Sequence, residues 1–452
     1  MEQFPKNQTE PSSHSQPLQI IRKLGKFSQF CLNNGLLFAL LMWLLSRLLI
    51  LVAMFLIAPS LPVPPRGIAP EIGWDVFAGW DGEWYQKLVM SGYEYADDGK
   101  QHTVAFFPLL ALVIRGVMAF GLPFEVAGTL VNNLAFLAAL MLIYVWVEQC
   151  HGKESARWTI ATLAWCPFSL YGTVIYTEGL FLLLSSASLR AFEKRHYAWV
   201  ALWGALASAT RITGVMLAPT FLIVAWRERR GAIAYLAGLA TSVGALLYVA
   251  YCTLRFGDPL VFLHTQKAWG RTEGFAWQGW LEILRKVVIG SIDASTGTIK
   301  DPSHPVLFVG ICVIAFLLWR FRQAIGSIKV GYGFCLLGFV LWLLGGDSLI
   351  KAVMVFGGLY LLWRLPKGHC QRQSRTQLSL TVWVYGLCVF ALILNTGRVV
   401  SIDRYAYSIV SLAISFGLWL ARYPRWGYPI MGFFALLLVT FAIRFSQQLW
   451  VA

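Results

Sequence analysis

The sequence predicts an all-α, polytopic membrane protein, and three observations carry that reading. Hydrophobic residues make up 58% of the 452 and charged residues only 13%, outside the range of ordinary soluble domains. Apolar runs close to the ~20 residues needed to cross a hydrocarbon core recur along nearly the whole chain. Lipid offers backbone groups no partners, so such runs must be helices. The third observation is where the charge lies. The net charge of +15 is scattered in short Lys/Arg clusters between apolar runs, as membrane orientation requires. There is no basic face and no nucleic-acid motif, so nucleic acid is not an expected partner.

The first 30 residues are polar and read as a disordered cytoplasmic N-terminus; residues 31–452 read as one integral-membrane domain. Arg22, Lys23 and Lys26 precede the apolar run 35–58. That run is too long for a signal-peptide core and has no small-residue cleavage site, so it reads as a retained anchor that places the N-terminus in the cytoplasm. Residues 59–125 then form the first extracytoplasmic loop. Its apolar segment 106–124 contains Pro108 and a central Arg115, and it is expected to lie along the membrane surface as an amphipathic helix. On that assumption nearly every later basic cluster falls on the cytoplasmic side. Spans are expected at 126–147, 158–176, 178–193, 197–212, 214–226, 232–254, 305–320, 330–346, 349–364, 378–395, 406–421 and 427–445. The total is about 11–13 crossings, with 255–303 as a second long outer loop.

The eight cysteines contain no CxxC pair, so neither a disulfide framework nor a thiolate metal site is indicated. A hydrolase elbow, a phosphate-binding P-loop and HExxH are absent as well.

The residues that suit chemistry gather on the segments placed outside. Asp81, flanked by Trp80, Trp84 and Tyr85, is a carboxylate at an aromatic membrane rim and suits a general base; it equally suits a solvated loop aspartate. Glu83 makes a D-x-E pair with it, a spacing that can hold Mg²⁺ or Mn²⁺, though no cofactor or metal is expected. Glu178 and Arg211 stand at apolar helix ends, where charges are costly and face a cavity or a partner. Arg211 suits a lipid phosphate, or an internal ion pair with Glu178. Arg47, in the middle of the first span, is expected to pair with a carboxylate. His264 and Lys267 follow the FGDP turn on the long outer loop and suit a sugar or phosphate, or an interfacial helix. Arg404 and Tyr405 open a late helix. Arginine opposes the helix dipole there, which calls for a nearby anion, with Asp403 as the competing explanation.

These pieces occur in a particular order: WDGEWY at 80–85, FFPLLALVIR at 106–115, YTEGLFLLLSSASL at 176–189, ATRITG at 209–214, FGDPLVF at 256–262 and DRY at 403–405. The pattern resembles the PIG-V family, enzymes of the GPI mannosyltransferase II type within the GT-C glycosyltransferases. Gly82 departs from the serine common after the WD pair, and Ile212-Thr213 from a more polar pair after the arginine.

The resemblance implies a GT-C fold with interfacial helices in the first outer loop. It implies inverting transfer of mannose from a polyprenyl- or dolichyl-phosphate-mannose donor to a glycolipid or glycan acceptor. Asp81 maps onto the base of such enzymes. Trp80, Glu83, Glu178, Arg211, His264, Lys267, Arg404 and Tyr405 are then the expected substrate contacts. The expected location is the plasma membrane in a bacterium or the endoplasmic reticulum membrane in a eukaryote. A transporter or flippase for lipid-linked sugars is the alternative.

Overall fold

Asn34 opens the first helix by accepting the Leu37 N–H on its side chain. The computed structural model describes residues 34–451 except 271–273, 294, 366, 369–376 and 398. The N-terminal polar segment with Arg22, Lys23 and Lys26 lies outside the described residues. Helix α1, Gly35–Val52, continues through a π turn to Ser60, so the apolar run covers 26 residues.

Two short helices follow in the first loop, α2 at Asp81–Ser91 and α3 at Pro108–Met118. Pro108 sits in the first turn of α3, where its missing N–H costs nothing. Eleven residues rise about 16 Å, roughly half a hydrocarbon core, so this helix alone is too short to cross. The Nε of Arg115 instead donates to Val89 O at 2.8 Å and ties α3 to α2.

The centre of the molecule is α4, Phe124–His151, packed against α1, α5 (Lys153–Trp165) and α6 (Glu178–Glu193). Helix α7, Tyr197–Thr210, lies on α6. Next come α8 (Leu217–Arg227) and the bent pair α9 (Ala232–Ala240) and α10 (Val243–Phe256), which meet at 43°. Helix α11, Trp277–Val288, precedes α12 (Ser303–Arg320) and α13 (Ser327–Ala352). The chain closes with α14 (Leu380–Leu394), α15 (Ile402–Tyr407), α16 (Val410–Arg422) and α17 (Pro424–Ser446). Phe136, Tyr144, Phe181, Phe192, Phe221 and Tyr385 fill the core between these helices. By contrast α12 and α13 present most of their apolar surface outward.

Five of the described helices are long and apolar enough to cross a membrane singly, or six if the bent pair counts as one. The count of about 11–13 drawn from apolar runs is higher because several runs are interrupted. Pro167 starts a 3₁₀ turn inside 158–176. Arg211 is extended, at φ −155° and ψ 149°, between α7 and the next turn. Gly346, at φ +53°, breaks α13 where the sequence separates 330–346 from 349–364.

Two further expectations are corrected. Cys150 is disulfide-bonded, which its spacing did not signal. Among the described residues Arg47 has no carboxylate partner. It donates to Ser169 O (2.8 Å), Ser169 Oγ (2.9 Å) and Thr173 Oγ1 (2.7 Å) and lies 5.0 Å from the Phe136 ring centre. The carbonyls and hydroxyls set free by the break after α5 solvate the charge.

Candidate active site

A 3₁₀ turn at Trp74–Ala78 brings the chain to Trp80, which adopts φ +59° and turns the backbone into α2. Asp81 is therefore the first residue of that helix, where the dipole favours negative charge. Its N–H donates to Tyr176 Oη at 3.3 Å, and its Oδ2 accepts from Arg404 Nη1 at 2.6 Å.

Asn132 on α4 fixes the opposite side. Its amide donates to Tyr171 O (2.7 Å) and Val174 O (2.6 Å), and its Oδ1 accepts the Gly179 N–H (3.0 Å). The turn before α6 is thereby lashed to the core and delivers Glu178, 1% exposed, as the first residue of α6. Its Oε1 accepts from Arg211 Nη1 at 2.9 Å and lies 3.6 Å from Arg404 Nε. The four charges alternate in space: Asp81, Arg404, Glu178, Arg211. Asp403 does not compete for the guanidinium, because its Oδ1 takes the backbone N–H of Arg404.

Aromatic faces enclose both cations. Arg211 lies 4.8 Å from the Tyr405 ring centre; Arg404 lies 5.0 Å from Tyr176 and 5.3 Å from Tyr405. Such contacts favour arginine over lysine, because the flat guanidinium both stacks and hydrogen-bonds.

These groups border an open cleft lined by Asp81, Arg211, Arg404 and Tyr405. Glu178 is not part of the lining and supports the two arginines from behind. Trp80 sits in a small adjoining cavity with Tyr171, Tyr176 and Arg404, edge-on to Trp450 at 5.0 Å. Glu83 is exposed and outside the lining.

His264 and Lys267 do not reach the cleft. His264 is half-exposed and pairs with Asp258 through Nδ1 at 2.7 Å. The 3₁₀ turn Thr265–Trp269 has three residues per turn, so Leu263, Gln266 and Trp269 share the face that lines the cleft. His264 and Lys267 share a different one. The sequence reading also passed over Phe106, Thr213 and Trp450, all of which line it. Phe106 lay in plain view in the FFP motif.

The Asp81/Glu83 pair does not fit a shared metal. The two residues stand two positions apart on one helix, so they point to nearly opposite sides. Among the described residues no three His, Cys, Asp or Glu side chains are grouped to hold an ion.

The chain has no significant match among curated proteins. Among solved structures it is similar to ArnT from Cupriavidus metallidurans bound to undecaprenyl phosphate. That match has 15% identity and a TM-score of 0.46, over 87% of this chain and 62% of that one. It is also similar to the oligosaccharyltransferase AglB from Archaeoglobus fulgidus in complex with an inhibitory peptide and a dolichol-phosphate. There the identity is 12% and the TM-score 0.44, over 92% of this chain and 56% of that one. The chain thus spans less than two thirds of either. Residues 37–229 match the family model described as Mannosyltransferase (PIG-V). Through that stretch, which supplies Asp81, Glu178 and Arg211 to the charge cluster, the chain is similar to the PIG-V mannosyltransferases.

Proposed function

We propose that this protein is a membrane glycosyltransferase of the GT-C type. In this reading it moves a mannosyl group from a polyprenyl-phosphate donor to a glycolipid or glycan acceptor on the extracytoplasmic side, with inversion at the anomeric carbon. The observation that carries the reading is the convergence of one carboxylate, Asp81, and two guanidinium groups, Arg404 and Arg211, on a single cleft.

The chemistry follows from that convergence. The acceptor hydroxyl oxygen forms a bond to the anomeric carbon while the bond from that carbon to the phosphate oxygen breaks. The hydroxyl proton passes to Asp81, and polyprenyl phosphate leaves with the electron pair of the broken bond. Negative charge grows on the leaving oxygen, where Arg404 and Arg211 stabilise it from a largely water-free wall. Without substrate, Arg404 is engaged by Asp81. An incoming phosphate draws the guanidinium toward itself, which loosens Asp81 for the acceptor. Glu178 is a positioning residue that holds both arginines aimed at the cleft. The two arginines take the neutralising role, so no step in this mechanism calls for a metal.

The test is transfer of labelled mannose from a short-chain polyprenyl-phosphate-mannose in membranes holding the native protein or Asp81→Asn at equal level. Loss of a general base costs about 10²–10⁴-fold in rate. Transfer by the native protein that falls by this factor supports the reading. Transfer that survives the substitution removes Asp81 as the base. Absence of transfer from any acceptor extract turns the assignment toward a transporter of lipid-linked sugars.

A further inference from the structure

Trp80 stands where a tryptophan is costly. Gly79 O accepts the Gly82 N–H at 3.1 Å, and Trp80, next after Gly79, has φ +59° and ψ −113°. Those angles match the first central position of a type II′ turn, which glycine fills freely and a bulky side chain does not. A backbone in such a region persists only where its surroundings impose it, and that imposition is a pointer to function. The residue that follows is Asp81, so whatever fixes this turn also fixes the direction of the carboxylate.

The contact that holds Trp80 comes from the far end of the chain. The Trp450 ring meets the Trp80 ring edge-on at 5.0 Å. Trp450 lines the cleft and is 45% exposed, so burial does not hold its ring in place. Its backbone is held instead. Arg444 Nη2 donates to Trp450 O at 2.5 Å, and Arg444 Nη1 donates to both carboxylate oxygens of Asp347, at 2.9 and 3.1 Å. Asp347 directly follows the Gly346 break in α13. Both partners of this ion pair are part-exposed, and a pair so open to solvent adds little stability. What it supplies is placement, since one guanidinium spans a second helix and the main chain at Trp450.

We propose that Asp347, Arg444 and Trp450 are positioning residues for the proposed base. Arg444 and Asp347 hold Trp450 against Trp80, the contact keeps the turn in its strained form, and the turn aims Asp81 at Arg404 and the cleft. Without the clamp, Trp80 relaxes to negative φ and the Asp81 carboxylate swings away from Arg404. The proposal rests on the reading of Asp81 as the base of the transfer.

The experiment labels carboxylates of the full-length protein in detergent with a carbodiimide and glycine ethyl ester. Peptide mass spectrometry reads modification of Asp81, with exposed Glu154 on α5 as the internal standard. Trp450→Ala and Asp347→Ala are each expected to raise Asp81 modification about threefold, as Arg404 stops shielding it. Trp450→Phe, which keeps a ring edge against Trp80, stays near native. In a Trp80→Gly background the turn carries no strain, so adding Trp450→Ala changes the labelling by less than about twofold. Initial rates of mannosyl transfer give the matching split. Trp450→Ala lowers kcat about tenfold or more and leaves the donor and acceptor KM within about twofold. Asp347→Ala, at a solvent-open pair, guards against a Trp450→Ala protein that fails to fold.

Asp81 modification that is unchanged in Trp450→Ala or in Asp347→Ala overturns the proposal. An equal response to Trp450→Ala in the Trp80→Gly background overturns it too, because the strained turn is then not what Trp450 holds. A raised KM with kcat intact makes Trp450 a substrate contact and is equally fatal. If the native protein transfers nothing, the transferase reading fails by itself, and the labelling still decides whether this clamp aims Asp81.

Discussion

Replacing Glu178 with glutamine tests the electrostatic logic of the cleft most directly. Its carboxylate is 1% exposed and faces Arg211, 8% exposed, at 2.9 Å, with Arg404 at 3.6 Å. Solvent screening is slight at such burial. At an effective dielectric near 20, a pair about 4 Å apart attracts by about 4 kcal/mol. Glu178→Gln keeps the shape but leaves Arg211 without an anionic partner, while Arg404 still holds Asp81. Breaking a buried pair from one side costs about 3–5 kcal/mol, a change of more than a hundredfold in the folded-to-unfolded ratio.

The double variant Glu178→Gln/Arg211→Met removes the orphaned charge as well. It should be less destabilised than the sum of the single variants by about 1–3 kcal/mol. Unfolding in mixed micelles, followed by tryptophan fluorescence with increasing denaturing detergent, gives all four corners of this cycle. Single-variant costs that simply add, or a Glu178→Gln cost under about 1 kcal/mol, would refute the claim that this pair organises the site.

Further expectations concern the surroundings. His264→Ala and Lys267→Ala should each keep transfer within about twofold of native, since neither side chain lines the cleft; initial rates at fixed donor check this. Gly214→Ala should be destabilised by about 1–3 kcal/mol, because a Cβ there would lie 2.6 Å from the backbone carbonyl of Ala207, which cannot yield. The same micelle unfolding measures it, and an unchanged midpoint would show that the turn after Arg211 relaxes. Arg404→Lys should raise the KM for the lipid-phosphate donor about tenfold or more, since lysine forfeits both the planar guanidinium that reaches Asp81 and Glu178 together and the flat contact with Tyr176. An unchanged donor KM would place the phosphate elsewhere.

Much of this arrangement was legible in the sequence because charge in an apolar setting is expensive. Glu178 and Arg211 stood out for that reason, Arg404 because an arginine opposes the dipole at a helix start, and the structure brings all three together with Asp81. That the apolar run 106–124 forms only a short helix, Pro108–Met118, agrees with the proline and arginine that set it apart in the sequence. What stayed hidden depends on period and contact. The choice of His264 and Lys267 over Gln266 and Trp269 turns on a 3₁₀ rather than α register, which residue identity does not reveal. Arg47 appeared to need a carboxylate, yet a helix break supplies carbonyls and hydroxyls instead. Trp450 carried no local signal at all, since only the return of α17 brings it against Trp80.

The ion pair between Asp81 and Arg404 joins positions 323 residues apart, and this separation bears on how the protein is made. Glu178 and Arg211 are only 33 residues apart, so they can neutralise each other soon after both leave the ribosome. Asp81 must wait until residue 404 has been synthesised and threaded into place. Through most of synthesis the nascent chain therefore presents an open carboxylate at the lipid boundary and a groove without its far wall. The last eighth or so of the polypeptide, from Ile393 onward, works as a keystone. A product cut short before Arg404 leaves Asp81 without this partner and the cleft without the residues that follow.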